Sequence, residues 1–273
     1  MEIFSLKNKN ILVTGGAGLL GQKHVEAILL AEGNPIVLDN SQASLNRLNK
    51  SVYKVFEHNL DMYEVDITNE NKIRNLANKF SKNKIVINGI INNAAVNPIS
   101  NNLDQIETRV ENYSLKDWRV ALDVELTGSF LMLKHFGFLM AQQGLGGVIL
   151  NISSDLGLIS PDQRLYKDDD RLPIDQKVKP ISYSVSKAGI IGLTRYMATY
   201  WADQNIRCNA LCPGGVYTED MSKEFLDRIT KLIPMGRMAK VDEYQGTVIW
   251  AISEASSYLN GAVIPIDGGR SVW

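Results

Sequence analysis

The chain has 273 residues, of which 45% are hydrophobic, and its 29 basic and 30 acidic residues leave a formal net charge of −1. This balance leaves no excess of positive charge of the kind that binds nucleic acid. No apolar stretch approaches the ~20 residues that span a bilayer. The N-terminus lacks the layout of a signal peptide, so we expect a cytoplasmic protein without nucleic-acid or membrane partners.

The few cysteines and histidines predict neither a disulfide nor a metal site. Cys208 and Cys212 lie four residues apart in a predicted strand, which separates them by ~13 Å and prevents a bond between them. His24, His58 and His135 are scattered without ligand spacing. We therefore expect two reduced thiols and no bound metal.

Strand-like and helix-like segments alternate along the chain. This pattern predicts one α/β domain spanning residues 1–273, with a Rossmann-type, doubly wound parallel sheet and helices on both faces. Strands are predicted at residues 10–14, 35–39, 61–65, 85–91, 147–153, 206–212 and 262–266. A long helix is predicted at 116–143, and its apolar face is Trp118, Leu122, Leu126, Phe130, Leu133, Phe136 and Met140. The default explanation of that face is core packing.

A glycine-rich turn follows the first strand and precedes a helical segment. Its residues are Gly15, Gly16, Ala17, Gly18, Leu19, Leu20 and Gly21. Strand, glycine-rich turn and helix together form a phosphate-binding pattern, because bare backbone and a helix N-terminus can approach a pyrophosphate. The alternative is a glycine-rich surface turn without a ligand.

Asp39 ends the second predicted strand, 24 positions after Gly15. A carboxylate at this place accepts hydrogen bonds from both ribose hydroxyls of an adenosine and repels a 2′-phosphate. Asn40 follows, where a phosphate reader would more naturally place Arg or Lys. The pattern favours NAD over NADP, and the alternative is that Asp39 merely caps the next helix.

Tyr183 and Lys187 lie four residues apart in a segment that reads as a helix. This spacing places both side chains on one side, one turn from each other. A phenol normally loses its proton only near pH ~10, and a neighbouring cation brings that pKa toward a usable range. The pair is therefore a candidate proton-transfer device, although the same spacing is common on ordinary helix surfaces.

Seven motifs in order make the chain resemble the short-chain dehydrogenase/reductase family over nearly its whole length. They are the glycine turn, Asp66 in Val65-Asp66-Ile67, Asn92-Asn93-Ala94-Ala95, Asn151-Ile152-Ser153-Ser154, Tyr183 with Lys187, Pro213 to Thr218, and Ile266-Asp267-Gly268-Gly269. Within the family, Ser154 to Gly157 and Pro161 to Tyr166 look similar to oxidoreductases of bacterial surface-sugar and flagellin-glycan biosynthesis.

The resemblance implies roles for the matching residues. Tyr183 would exchange a proton with the substrate oxygen, Lys187 would lower the pKa of Tyr183 and hold the nicotinamide ribose, and Ser154 would steady the substrate oxygen. Ser153 would face the other side of its strand. The implied cofactor contacts are Gly15, Gly18, Leu19, Leu20, Gly21, Asp39, Asp66, Ile67, Asn93, Ala94, Ala95, Tyr183, Lys187, Pro213, Gly214, Val216 and Thr218.

Two departures from the family pattern affect the site. The glycine spacing is that of the longer, extended members, so that Gly18 would supply the bare backbone in place of Leu19. Glu125 stands where the family usually has an asparagine that helps hold a water near the lysine. Glu125 is therefore a further candidate catalytic residue, as a proton relay or as a buried carboxylate.

Two segments bear on the substrate. An insertion at 160–180 lengthens the connection between Ser154 and Tyr183, and its polar side chains suit a hydroxylated or phosphorylated substrate. Candidate sugar contacts there are Gln163, Arg164 and Tyr166, with an inert solvated loop as the alternative. Asp168 to Asp170 reads as a solvated turn. A substrate lid with one apolar side is expected at 219–235.

The resemblance implies an NAD(H)-dependent oxidoreductase that transfers hydride between nicotinamide and a secondary alcohol or ketone of a sugar-like or polyol-like substrate. One alternative is a sugar epimerase or dehydratase that recycles tightly held NAD. The other is a non-catalytic, cofactor-binding scaffold. Family members commonly pair the long helix and the Tyr183 helix across subunits, so we expect a homotetramer or, next, a homodimer.

Overall fold

Parallel strands form the central sheet of the protein. The computed structural model describes residues 2–96, 107–167 and 172–273. Within them the strands are β1 (Asn10–Thr14), β2 (Asn34–Asp39), β3 (Asp61–Glu64), β4 (Gly89–Asn92), β5 (Gly147–Ile152), β6 (Ile206–Pro213) and β7 (Val263–Ile266). Their order across the sheet is β3-β2-β1-β4-β5-β6-β7, and every neighbouring pair is parallel. The predicted Rossmann-type sheet is confirmed.

The predicted strand boundaries agree with the structure to within a residue or so at each end, except at β4. That strand begins at Gly89, four residues after its predicted start. The side chain of Gln143 explains the difference, since it accepts from the Ile87 N–H at 3.0 Å and donates to the Ile85 carbonyl at 2.8 Å. At Ile85 and Ile87 the backbone is therefore satisfied by a helix side chain instead of by a neighbouring strand.

Helices connect the strands and cover both faces of the sheet. They are α1 (Leu19–Leu30), α2 (Gln42–Phe56), α3 (Glu70–Lys82), α4 (Leu115–Leu122), α5 (Gly128–Met132), α6 (Phe138–Gln143), α7 (Ile181–Tyr200), α8 (Lys223–Ile229) and α9 (Gln245–Ile252). Among the described residues, none of the helices combines the length and apolarity needed to cross a membrane.

The helix predicted at 116–143 is interrupted twice by π-helical turns, at Asp123–Thr127 and at Leu133–Gly137. A π-helical turn takes in an extra residue and rotates the side chains that follow it. For this reason the predicted apolar face is buried only in part. Leu133, Phe136 and Met140 are in the core, whereas Phe130 is 49% exposed.

Alternating side chains of the strands divide the core into two layers. Leu12 packs with α3, α6 and α7, whereas its neighbours Ile11 and Val13 pack with α1, α2 and α9. This division follows from the two-residue period of a strand. Cys208 and Cys212 lie in β6 as buried free thiols, as predicted.

Candidate active site

The predicted cofactor residues follow the carboxyl ends of β1, β2, β3, β4 and β6. The strand order changes direction between β1 and β4, and this is the place where doubly wound sheets bind ligands. The sequence-distant motifs are therefore brought to one edge of the sheet.

Glycine is required in the turn after β1 for steric reasons. Gly15 has φ +60°, and a Cβ there would lie 2.8 Å from the Cα of Ala94. A Cβ on Gly21 would overlap the carbonyl oxygen of Gly15. A Cβ on Gly18 would lie 3.2 Å from its nearest neighbour, which is the same carbonyl oxygen, so Gly18 has the most open surroundings of the three. The turn leaves bare backbone where a pyrophosphate would approach.

The N-terminus of α1 is left without a side-chain cap. The hydroxyl of Ser41 caps α2 and the amide of Asn69 caps α3, but Gly18 offers α1 no such acceptor. The N–H groups of Leu19, Leu20 and Gly21 have no carbonyl in a preceding helical turn to bond. Free N–H groups and the positive end of the helix dipole suit a phosphate. The residues present therefore fit a dinucleotide.

Asp39 braces the glycine turn. Its Oδ2 accepts from the Ala17 N–H at 3.1 Å, and its Oδ1 accepts from the Ser41 N–H at 3.1 Å. The cap of α2 is Ser41, whose hydroxyl accepts from the Ser44 N–H. The alternative that Asp39 merely caps α2 therefore does not describe the structure. Asp39 stays half-buried at the end of β2, beside the turn.

Asn93 ties the end of β4 to the end of β1. Its Nδ2 donates to the carbonyls of Thr14 and Gly15, at 3.0 and 3.1 Å. The hydroxyl of Thr14 accepts in return from the N–H groups of Asn93 and Ala94. The amide thus holds together the two strands that flank the switch in strand order. Ala94 packs directly under Gly15, and Ala95 is exposed.

The remaining predicted cofactor residues lie at the outer ends of the same edge. Asp66 is exposed after β3, and its Oδ1 accepts from the N–H and the hydroxyl of Thr68. Ile67 is buried beside Gly128. On the other side, Pro213 ends β6. The loop that follows contains three of the predicted residues. Gly214 packs against Asp267, and Val216 forms an isolated β-bridge with Ala239. Thr218 is partly buried.

Tyr183 and Lys187 lie one turn apart near the start of α7. The Lys187 ammonium is 5.6 Å from the centroid of the Tyr183 ring. It donates to the Ile152 carbonyl at 3.2 Å and forms an ion pair with Glu125 at 3.1 Å. Lys187 is only 4% exposed, so these contacts fix its position.

The pKa of Tyr183 reflects opposing influences. Burial of the ring raises the pKa, while the charge of Lys187 and the neighbouring Ser154 hydroxyl lower it. The negative charges of Glu125 and Asp155 raise it further. The net direction is upward, so the resting phenol carries its proton at neutral pH.

Successive serines after β5 face opposite ways. The Ser153 hydroxyl donates to the Lys187 carbonyl at 2.7 Å and so fastens α7 to the sheet. The Ser154 hydroxyl lies near Tyr183 and donates to Asp155 Oδ1 at 2.8 Å. A Cβ on Gly157 would lie 2.9 Å from the Lys187 carbonyl, so glycine permits this close approach.

Glu125 lies in the first π-helical segment and is 1% exposed. Its Oε2 accepts from the Ser186 hydroxyl at 2.8 Å and pairs with the Lys187 ammonium at 3.1 Å. Its Oε1 is buried and has no hydrogen-bond partner among the described residues. Glu125 therefore anchors the lysine through a buried ion pair.

Of the three candidate sugar contacts, Tyr166 is the one that interacts electrostatically with Tyr183. Tyr166 is largely buried, and burial raises its pKa to about 12. The charge of Arg270 opposes this rise, and that of Tyr183 adds to it. The Arg164 side chain is 85% exposed and pairs with Asp162 at 2.6 Å. Gln163 has a structural contact, since its Oε1 accepts from the Lys179 N–H at 2.9 Å. Asp168 to Asp170 lie outside the described residues.

The segment predicted as a lid contains α8. Its apolar side packs against the insertion in a small separate cluster. That cluster is Leu165, Ile229, Ile233 and Met238, with Tyr166, Met221, Phe225, Leu226 and Leu232 around it. The rings of Tyr166 and Phe225 are 6.1 Å apart. The apolar side thus packs against Leu165 and Tyr166 of the insertion.

Comparison with known proteins identifies the family. The profile described as "short chain dehydrogenase" matches residues 9–166, more than half of the chain. A second profile, described as "Enoyl-(Acyl carrier protein) reductase", matches residues 176–271. The chain belongs to the short-chain dehydrogenase/reductase family. The family and enzyme class predicted from the motifs are confirmed, and members of this family use a nicotinamide cofactor.

Three similar proteins illustrate the range of this short-chain dehydrogenase/reductase family. Glucose 1-dehydrogenase 2 of Bacillus subtilis is 28% identical, over 98% of this chain and 96% of the relative. The 3-oxoacyl-[acyl-carrier-protein] reductase FabG of Thermotoga maritima is 29% identical, over 97% and 98%. A short-chain dehydrogenase from Leptospira borgpetersenii, solved with bound NAD+, has a TM-score of 0.84 and 28% identity, over 98% and 94%.

Sequence reasoning missed three charged residues of this short-chain dehydrogenase/reductase. Asp155 and Arg270 form a buried ion pair at 2.8 Å, and Lys179 lies over the ring of Tyr183. In the sequence, Asp155 is notable only because it follows Ser154. Arg270 lies far along the chain from these two residues. No local spacing connects these residues, so only the fold brings them together. The described residues contain no group of His, Cys, Asp and Glu side chains arranged to hold a metal ion.

Proposed function

We propose that the protein is an NAD(H)-dependent oxidoreductase that acts on a secondary alcohol or ketone of a sugar-like or polyol-like substrate. One observation carries the proposal. Ser154, Tyr183 and Lys187 meet at the open edge of a sheet whose first helix, α1, offers uncapped N–H groups to a dinucleotide. Proton-transfer groups and a phosphate cradle at one edge are what hydride exchange requires.

Two residues of the chain contact the substrate oxygen, and a third assists one of them. When bound, the nicotinamide supplies the hydride chemistry. Tyr183 removes the hydroxyl proton during oxidation and returns it during reduction. Ser154 donates a hydrogen bond to the same oxygen, for which it must release Asp155 Oδ1. Arg270 makes this release easier, because it pairs with Asp155 and weakens that carboxylate as a competing acceptor.

Lys187 supplies the positive charge that makes Tyr183 usable as a base. Its contacts with Glu125 and the Ile152 carbonyl hold the ammonium within one turn of the phenol. Since burial raises the pKa of Tyr183, the phenolate needed for oxidation becomes more populated as the pH rises. Oxidation should therefore accelerate toward alkaline pH, and reduction toward neutral and acidic pH.

The choice of NAD over NADP rests on Asp39. Its carboxylate lies beside the glycine turn at the end of β2, where it accepts from ribose hydroxyls and repels a 2′-phosphate. The relative from Leptospira borgpetersenii, which carries NAD+ in its structure, agrees with this proposal. The cofactor contacts proposed are those predicted from the sequence, with α1 as the pyrophosphate site.

The substrate class rests on the polarity around Tyr183. Asp155, Lys179 and Arg270 are buried there, and Tyr166 adds a phenol. Buried charges of this kind are unfavourable surroundings for an acyl chain and suit hydroxyl or ionic groups. Of the two named relatives with known substrates, the glucose dehydrogenase is thus the better guide than the acyl-carrier-protein reductase.

We also propose that residues 1–273 act as one domain in a cytoplasmic homotetramer. One continuous sheet supports the single domain. Exposed apolar side chains on the long helix and on α7 support contact between subunits; they are Val120, Phe130, Phe138, Val185, Tyr196 and Tyr200. Light scattering during size-exclusion chromatography checks the assembly, and a monomeric mass would contradict it.

A substrate screen tests the proposed function. The purified protein is given NAD or NADP with sugars, polyols, sugar acids, sugar phosphates and nucleotide sugars, and reduced cofactor is followed by absorbance. We expect net NADH from one of these classes and a lower kcat/KM with NADP. Substrate conversion without net NADH would point to an epimerase or dehydratase. Cofactor binding without any conversion across all classes would point to a scaffold.

A further inference from the structure

Lys179 brings a second ammonium group to Tyr183. The residue is 7% exposed, and its Nζ lies 4.0 Å from the centroid of the Tyr183 ring. The Lys187 ammonium lies 5.6 Å from the same centroid. Two lysines therefore face one phenol ring, although Lys187 alone accounts for the activation of Tyr183 in the proposed function.

The carboxylates around Lys179 are already paired with other cations. The negative charges of Asp155 and Glu125 raise the pKa of Lys179. Asp155, however, bonds Arg270 at 2.8 Å, and Glu125 bonds Lys187 at 3.1 Å. No carboxylate among the described residues forms an ion pair with Lys179. The cluster thus holds three buried cations and two buried carboxylates.

A charge on a largely buried side chain without a carboxylate partner is unfavourable, so its presence calls for an explanation. Burial lowers the pKa of Lys179 to about 8, which still leaves the ammonium largely protonated at neutral pH. The face of the Tyr183 ring compensates part of the charge by a cation–π contact. It supplies no hydrogen-bond acceptor for the three N–H donors of the ammonium.

The backbone around Lys179 holds the side chain in this place. Its N–H donates to Gln163 Oε1 at 2.9 Å, which ties it to the insertion. Pro180 follows and is the N-cap residue of α7, so only a short, restrained segment separates Lys179 from Tyr183. A substrate whose oxygen meets Tyr183 would therefore bring its neighbouring groups to the Lys179 ammonium.

We propose that Lys179 binds an anionic group of the substrate, a carboxylate or a phosphate, close to the carbon that is oxidised or reduced. The inference rests on the proposed function, in which Tyr183 meets the substrate oxygen. It narrows the substrate class from polyols in general to sugar acids and phosphorylated sugars. A charge-assisted hydrogen bond at this buried site gives the anion both affinity and orientation.

Binding to the NADH-loaded protein tests the proposal without turnover, because the probes are already alcohols. The probes are D-gluconate, D-sorbitol and D-sorbitol 6-phosphate, titrated by calorimetry at neutral pH. Gluconate differs from sorbitol by one carboxylate in place of a hydroxymethyl group, and the phosphate ester differs by one phosphate. We expect one anionic probe to bind at least about tenfold more tightly than sorbitol. Which of them does so distinguishes a carboxylate from a phosphate.

Variants assign that preference to Lys179. Lys179→Met should reduce the anionic preference to less than about twofold while sorbitol binding is retained. Lys179→Gln, which keeps a polar side chain, should do the same and serves if the Met variant unfolds. Lys223→Met is the matched control, since it removes the same charge from an exposed position at the start of α8 and should keep the preference.

Three results would overturn the proposal. They are equal affinity of the wild-type protein for all three probes, no binding of either anionic probe, and a full anionic preference in both Lys179 variants. If the variants bound every probe more weakly by the same factor and kept the preference for an anionic probe, Lys179 would only support the fold. Because no hydride is transferred, each of these results leaves the oxidoreductase proposal to be judged by the substrate screen.

Discussion

The cofactor edge and the catalytic edge of the sheet are built from different materials. Around β1 and β4 the surface consists of glycine backbone, an uncapped helix end and neutral amides such as Asn93. Around β5 and α7 it consists of buried charged side chains, among them Glu125, Asp155 and Lys187. Both regions lie at the carboxyl ends of strands of the same sheet.

The difference follows from what each region has to do. A pyrophosphate is charged already, so the protein need only offer free N–H groups and space. Proton transfer requires a phenol whose pKa is adjusted by nearby charges, and those charges must be buried to act strongly. Buried charges must in turn be paired, which explains the contacts of Glu125 with Lys187 and of Asp155 with Arg270. The catalytic edge is therefore the region that single substitutions disturb most.

Apart from the Tyr183 substitution, Ser154→Ala should have the largest effect. Removing the hydroxyl that steadies the substrate oxygen should lower kcat about 10²- to 10³-fold, as measured by steady-state NADH formation. Ser153→Ala is the matched control, because its hydroxyl only fastens the Lys187 carbonyl to the sheet. Equal losses of kcat in the two variants would show that the adjacent serines are not divided between site and scaffold.

Arg270→Met should destabilise the protein strongly. It leaves the Asp155 carboxylate buried without its partner, which should lower the free energy of unfolding by about 3 kcal/mol in urea denaturation. Arg237→Met breaks an exposed pair with Glu243 and should change stability little. If the two substitutions cost the same, the buried pair is not what supports the catalytic edge.

His24→Leu tests the neutrality of the cofactor edge. Burial lowers the pKa of His24 from 6.5 to about 4, and the Asn93 amide partly opposes this shift. Neither ring nitrogen has a hydrogen-bond partner in the part of the chain that the structure describes. The unfolded chain binds this proton at a higher pH than the folded protein, so stability falls as the pH drops from 6.5 toward 4. The loss attributable to His24 is at most about 3 kcal/mol.

In the His24→Leu variant that part of the pH dependence should disappear, as measured by urea denaturation at pH values across this window. His58→Leu is the control, because the His58 ring is not buried. A steep acid loss that persists unchanged in His24→Leu would mean that the histidine is not the group being protonated.

Glu125→Gln should have the smallest effect, a change in pH dependence. The charge of Glu125 raises the pKa of Tyr183, so its removal should move the alkaline rise of the oxidation rate to lower pH, by less than about one unit. Asp123→Asn removes an exposed carboxylate from the same π-helical segment and should leave the profile in place. A shift to higher pH in Glu125→Gln would contradict the electrostatic role given to the ion pair.

The glycine turn, Tyr183, Lys187 and Glu125 could be singled out from the sequence, whereas the ion pair of Asp155 with Arg270 could not. Gly15 and Gly21 are forced by local sterics, and Tyr183 and Lys187 are one helical turn apart, so short-range patterns identify them. Asp155 and Arg270 come from segments far apart in the chain, and their pairing depends on how β5 and the C-terminal segment lie in the finished sheet. The apolar pattern of residues 116–143 predicts a continuous α-helix and gives no sign of the π-helical turn that contains Glu125.

The central claim is that Tyr183 exchanges the proton at the substrate oxygen while the dinucleotide binds elsewhere on the same edge. Tyr183→Phe tests it most directly, with NADH affinity measured by fluorescence titration beside turnover on the substrate found by the screen. We expect at least about a 10³-fold loss of kcat and an NADH dissociation constant within about twofold of the wild-type value. Turnover retained in Tyr183→Phe would contradict the account.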